Sequence, residues 1–257
     1  MIIDSLTHIT KSGKWIFKDY DASLNRLLNE MRKANVDKAV LVGNEPLKDN
    51  DLVLEVFKKY PDKFIPIASI NPKGQSKEQL EIKVSSLKKQ GFMGIKLHPR
   101  FCDLSLDSLE INTLLDISGK YNLVCYICTL HRPPSKPLKR PLYDVIHEIC
   151  ERNQNTRIVL VHGGYYELLQ TSEIIRSYEN VLIDLSLTLP RFASSSIGLD
   201  IKFLFQTFEK RIVIGSDFPE YTFSDVYRSL ELLGISVENF MGKGPFGENL
   251  LRFFNNK

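Results

Sequence analysis

The sequence is poor in the residues that mark specialised protein classes. Four cysteines in 257 residues are too few for a disulfide framework and fit a reducing compartment. Basic and acidic residues nearly balance, 34 against 31, for a net charge of +3. That removes any general electrostatic reason to expect nucleic acid or an acidic membrane as partner. No apolar run approaches the roughly 18 residues of a membrane span. Met1-Ile2-Ile3-Asp4 has neither a basic n-region nor a signal-length apolar stretch, so a cytoplasmic protein is expected. Repeats, Gly/Ser linkers and low-complexity segments are missing, as is a glycine-rich phosphate loop after any strand. The last absence weakens a doubly wound dinucleotide fold. Histidine is scarce too. Five residues bound the metal chemistry available.

What is present is ordinary in bulk and regular in order. Apolar residues make up 43% and charged residues 25%, which suits a soluble globular chain. Short runs rich in Val and Ile recur at 2–6, 38–42, 64–70, 94–97, 123–128, 157–161, 181–185 and 211–214. They have the length and composition of fully buried parallel strands. Amphipathic segments lie between them. Leu24, Leu27, Leu28 and Met31 share a face of the first, Leu52, Val53, Val56 and Phe57 of the second, and Leu80, Val84 and Leu87 of the third. Later helical candidates are 109–120, 141–152, 167–178, 199–209 and 224–233. Asn35, Gly91, Asn122 and Gly234 follow periodic segments, where a left-handed residue closes a helix. Eight strand–helix units without a composition shift predict one (β/α)₈ TIM barrel, a single domain over 1–257.

Active sites of such barrels lie at the C-terminal ends of the strands. Those ends carry Thr7-His8, Lys96-Leu97-His98-Pro99-Arg100, Cys128-Thr129-Leu130-His131-Arg132, His162-Gly163-Gly164, Ser186 and Gly215-Ser216-Asp217-Phe218-Pro219. Four of the five histidines fall there, and only His147 falls within a helix.

These segments, in this order, resemble the amidohydrolase superfamily, specifically its small amidohydrolase-related group of metal-dependent hydrolases and decarboxylases. The resemblance is carried by Gly94-Ile95-Lys96-Leu97-His98-Pro99, by Val159-Leu160-Val161-His162-Gly163-Gly164 and by Ile214-Gly215-Ser216-Asp217-Phe218-Pro219. The tail Gly247-Glu248-Asn249-Leu250-Leu251-Arg252-Phe253-Phe254 resembles the family's closing helix, so the likeness spans essentially the whole chain. It implies one divalent metal, zinc, held by a His-x-His pair on the first strand, a His ending the fifth and an Asp ending the eighth. A His on the sixth strand serves as ligand or acid/base. Such an ion lowers the pKa of its water towards ~7 and polarises a substrate oxygen.

The chain departs from that set twice. Leu6 stands in the first His position, leaving His8 alone, and Cys128 stands in the strand-five position. His162 and Asp217 are retained. The leading expectation is a metal-dependent hydrolase or lyase acting on a small anionic metabolite, a lactone or carboxylate. His8, Cys128, Asp217 and His162 are its candidate metal ligands, and Asp217 and His162 its candidate catalytic pair. Lys96, His98, Arg100 and His131 are the candidate substrate contacts. Two other readings stay open. One is a retired barrel used for binding or assembly, with Leu6 and Cys128 as apolar plugs. The other is metal-free acid/base chemistry by His162 and Asp217.

The basic, proline-containing loop 130–141, with Arg100 and Arg191, is either a cationic mouth for an anion or a solvated face. Trp15 and Phe17 are read as a pocket wall, a lid or a dimer contact. A homodimer is left open. Cys125 and Cys128, three apart on a strand, are expected on opposite faces, which argues against a dithiol.

Overall fold

The structure is a computed structural model that describes residues 1–133, 135–240 and 242–255; Pro134, within the basic loop 130–141, lies outside them. Eight strands among the described residues form one parallel sheet in sequential order. They are β1 (Ile3–Thr7), β2 (Lys38–Val42), β3 (Phe64–Ser69), β4 (Gly94–Leu97), β5 (Val124–Cys128), β6 (Ile158–Val161), β7 (Val181–Asp184) and β8 (Ile212–Val213). The intervening helices are α1 (Leu24–Lys33), α2 (Asn50–Lys59), α3 (Lys77–Gln90), α4 (Pro99–Cys102), α5 (Leu109–Lys120), α6 (Leu142–Arg152), α7 (Leu168–Ile175), α8 (Thr188–Phe192) and α9 (Ile197–Thr207). After β8 come α10 (Phe223–Leu232) and α11 (Glu248–Asn255). This is the TIM barrel expected from the strand–helix alternation, with strand bounds displaced by only one or two residues.

The reason lies in which faces are buried. Strand residues are buried almost without exception, so each strand is covered on both faces, as in a parallel sheet under a helix layer. Inward residues such as Val40, Val42, Ile67, Tyr126 and Val161 fill the barrel. Outward ones such as Leu41, Cys125 and Leu160 pack with the helices. Cys125 thus faces the helix layer, as strand alternation predicts, and all four cysteines are free. Asn35, Gly91, Asn122 and Gly234 all have positive φ, so the predicted helix stops are made by left-handed residues.

Two features fix the barrel's ends. Leu250 and Phe253 of α11 join the interior cluster. Asn249 Nδ2 donates to the carbonyls of Glu209 and Ile212 at 2.7 and 2.8 Å, which seats α11 beneath the start of β8 and plugs the N-terminal end. At the other end β8 runs on past its ladder and closes against β1. Ser5 N donates to Ile214 O at 3.1 Å, Asp217 N to Leu6 O at 3.0 Å and His8 N to Phe218 O at 2.8 Å. A Cβ on Gly215 would lie 2.5 Å from Ser5 Oγ and 2.8 Å from Leu6 N, so only glycine permits this approach. The closure brings His8 and Asp217 side by side at the mouth.

Candidate active site

The mouth holds a cavity of about 490 Å³. His8, Lys96, His98, Arg100, His162 and Asp217 all line it, together with Trp15, Phe17, Phe101, Arg132 and Arg191. Two of the candidate residues do not. His131 and Cys128 line a much smaller crevice that shares Arg100 and Leu130 with the cavity, and Cys128 clusters with Leu130, Tyr165 and Leu187.

Backbone carbonyls orient the two strand-end imidazoles. His8 Nδ1 lies 2.9 Å from Val42 O and His162 Nδ1 2.9 Å from Ser186 O. Each carbonyl can only accept, so each Nδ1 carries the proton and each Nε2 is left with its lone pair. His162 has φ 68°, followed by Gly163 at 61° and Gly164 at 83°. This left-handed run turns the chain sharply at the end of β6. Asp217 is also left-handed, at φ 59°, and its Oδ1 lies 3.7 Å from His8 Nε2.

Burial sets the charges. Desolvation, aided by Lys96, pulls His8 down to about 4. Desolvation followed by Lys96 drives His98 and His162 well below the usual histidine range. All three are neutral bases at neutral pH. Desolvation pushes Asp217 up to about 7, against the pull of Lys96, so its carboxyl exchanges a proton near neutrality, where general acid/base catalysis works best.

Beneath the mouth lies a polar layer that the sequence pattern did not single out. Asp4 accepts from Ser216 N at 2.8 Å and Ser216 Oγ at 2.6 Å. Asp184 accepts from Ser186 N at 3.1 Å and from the hydroxyls of Ser5 and Ser186. Ser186 in turn supplies the carbonyl that holds His162. The signal available was Asp4, Ser5 and Asp184 standing inside otherwise apolar strands. One side of the cavity is a chain of rings. His8 stacks on Trp15 at 5.6 Å, Trp15 meets Phe17 edge-on at 5.7 Å, Phe17 stacks on Phe101 at 5.3 Å and Phe101 on His98 at 3.9 Å. Trp15 and Phe17 are therefore pocket wall.

Three guanidinium groups stack on the rings of their neighbours: Arg100 on Phe101 at 4.9 Å, Arg132 on Tyr165 at 6.0 Å and Arg191 on Phe192 at 5.6 Å. Among the described residues none of the three has a carboxylate partner, and Arg100 Nε is buried with no acceptor. The carboxylates nearby are engaged elsewhere. Glu220 takes Trp15 Nε1 at 3.1 Å and Lys18 Nζ at 2.9 Å, and Glu45 takes Ser69 Oγ at 3.3 Å.

The donor set does not complete a metal site. The free Nε2 atoms of His8 and His162 and the nearby Asp217 have the right chemistry, with carbonyls behind the rings as metal-binding histidines usually have. Leu6, however, is fully buried among the apolar side chains of the barrel interior, and burial pushes the Cys128 thiol up, away from the thiolate an ion requires. Among the described residues no three His, Cys, Asp or Glu side chains gather as an ion would need. The expected ligand set of His8, Cys128, Asp217 and His162 is thus not assembled, because its first position is hydrocarbon and its thiol faces an apolar cluster.

Comparison with known proteins gives the same architecture. The family model described as amidohydrolase matches residues 4–237. No curated protein matches the chain. Among solved structures, an uncharacterized TIM-barrel protein from Bordetella bronchiseptica is 17% identical with a TM-score of 0.80, covering 99% of both chains. A probable 2-pyrone-4,6-dicarboxylic acid hydrolase from Acinetobacter baumannii, with citric acid bound, is 17% identical with a TM-score of 0.71 over 99% of both. A 5-carboxyvanillate decarboxylase from Novosphingobium aromaticivorans, complexed with manganese and a nitrobenzoic acid, is 16% identical with a TM-score of 0.68, over 99% of this chain and 96% of that one.

Proposed function

The chain belongs to the amidohydrolase family, and from that premise we propose that it is a hydrolase or carbon–carbon lyase acting on a small carboxylate. The observation that carries this reading is the convergence of Arg100, Arg132 and Arg191 on one cavity that also holds Asp217, His8 and His162. Guanidinium groups without a carboxylate partner, stacked on aromatic rings, are pre-organised forks for a carboxylate. The citrate and nitrobenzoate in the two related barrels lead the same way.

The chain's own residues do the acid/base work in this reading. Arg100, Arg132 and Arg191 draw in and orient the anion, and the ring wall from His8 to His98 holds its apolar face. Lys96 and His98 contact the reacting end. Asp217 takes a proton as carboxylate and returns it as acid. His162, neutral and held by Ser186, offers Nε2 as the second proton acceptor. His131, outside the cavity, has no part. The test is titration of citrate and benzoate, followed by the fluorescence of Trp15, the only tryptophan, at low and high salt. Saturable, salt-sensitive binding is expected. Failure of every carboxylate to bind would refute the reading, and binding without turnover of any ester, lactone or carboxylate would leave a binding protein.

A second reading, a divalent ion recruited by His8 and Asp217, is favoured by their 3.7 Å separation and the free Nε2 atoms. Stoichiometric Zn²⁺ or Mn²⁺ in the purified protein would establish it in place of the first.

A further inference from the structure

Lys96 is the least explained group in the cavity. It is the penultimate residue of β4, is only 3% exposed, and its exposed surface is cavity wall. Among the described residues its Nζ has neither a hydrogen bond nor an ion pair. A buried ammonium needs acceptors for its three protons, and without them desolvation costs several kcal/mol. The groups that favour its charge, Cys128, Asp217 and Asp184, work through space rather than through contact, and desolvation outweighs them; Asp184 is already held by Ser5 and Ser186. These conditions favour the neutral amine, and a neutral amine open to a pocket is a carbonyl nucleophile.

From the placement of its unpartnered Nζ in the cavity that Arg100, Arg132 and Arg191 also line, we propose that Lys96 forms an imine with a keto acid, most simply a 3-oxo acid that then loses carbon dioxide. This deepens the carboxylate reading above and rests on it. The amine adds to the ketone carbon, and the carbinolamine loses water as Asp217 supplies the proton. The protonated imine draws in the electron pair of the carbon–carboxylate bond. That bond breaks, carbon dioxide leaves and an enamine remains. The enamine carbon takes a proton, and water hydrolyses the imine to release the ketone and restore the amine. One proton is consumed overall, and no metal, oxidant or reductant is required. The arginines hold the carboxylate until the carbon–carbon bond breaks, and His8, His98 and His162, all neutral, leave the imine as the principal new positive charge.

The experiment is reductive trapping. The protein is incubated with acetoacetate and sodium cyanoborohydride near neutral pH, and the adduct is measured by intact mass and located by peptide mapping. One reduced adduct per chain on Lys96 is expected in the wild type, and none in Lys96→Arg, which keeps the charge without the nucleophile. Mapping of the wild type locates the adduct even if the variant fails to fold. Labelling spread over surface lysines, equal in both proteins, overturns the proposal. So does the absence of adduct in a protein that binds carboxylates by Trp15 fluorescence, and in that case the carboxylate reading stands. Absence of both adduct and carboxylate binding overturns the two together.

Discussion

Replacing Asp217 by Asn tests the site at the point where its electrostatics are most costly. Asp217 is 9% exposed, and burial lifts its pKa from 3.8 to about 7. The sign follows from linkage. Below the unfolded value both states hold the proton, and the group contributes nothing. As pH rises the unfolded chain ionises first, so folding stability falls until the native carboxyl ionises as well. The full displacement corresponds to about 4 kcal/mol, of which about 3 kcal/mol accumulates between pH 5 and pH 8. Asparagine has nearly the same shape, tolerates the left-handed φ of 59° at this position and does not ionise. Asp217→Asn is therefore expected to stabilise the protein progressively from pH 5 to pH 8, while abolishing the proton transfer assigned to it. The buried histidines destabilise in the opposite direction as pH falls below their unfolded value. They are common to both proteins and cancel in the comparison. Urea unfolding of wild type and variant at three pH values in that window measures the difference. A stability difference that does not change with pH refutes the reasoning.

Three further outcomes follow from the geometry. Single changes Arg100→Met and Arg191→Met should each weaken citrate binding about tenfold, about 1.4 kcal/mol, and flatten its salt dependence; unchanged affinity in both by calorimetric titration removes the cationic mouth. Leu6→His combined with Cys128→His should create stoichiometric Mn²⁺ binding where the wild type has little, measured by metal analysis after dialysis; no gain would show that these two positions are not what the donor set lacks. Gly94→Ala places a Cβ 2.4 Å from Val124 O and 2.7 Å from Ile67 Cδ1, inside a ladder that cannot shift. It should cost more than ~3 kcal/mol or soluble expression itself, and an unchanged urea midpoint would contradict the β4–β5 register.

The barrel was legible because its strands are buried on both faces and its helices on one, so composition and period separate them cleanly. Helix stops were legible for a local reason: Asn and Gly alone accept the left-handed residue that ends a helix cheaply. The rim residues followed from the rule that places function at the strand C-termini. What strand position does not give is the direction of a side chain beyond the last ladder bond. Cys128 and His131 sit on the correct rim, yet they line a smaller crevice next to the cavity. Arg132, from the loop after β5, and Arg191, from α8, meet in one cavity only because β5 and β7 end on the same face. Asp4, Ser5 and Asp184 were hidden inside strand segments read for their apolar content. α4 and α8 went unmarked, since one turn of helix has no period to detect.

Leu6 and Lys96 belong to one electrostatic argument. A divalent ion at the mouth would neutralise Asp217 and raise the cost of any other buried cation nearby. With hydrocarbon at Leu6 the ion loses a donor, and Asp217 is left as a buried carboxyl with no bound countercharge. Lys96 lies close enough to lower Asp217's pKa, and the two stabilise each other's charged forms without touching. Such a pair exchanges one proton cheaply, because moving it from ammonium to carboxylate removes two buried charges at once. Lys96→Met should therefore raise the Asp217 pKa above its wild-type value. In the pH series for Asp217→Asn, made in the Lys96→Met background, the stabilisation should begin at the same pH, set by the unfolded carboxyl, but continue to a higher pH and a larger final value. A plateau that does not move would show that the two groups are uncoupled.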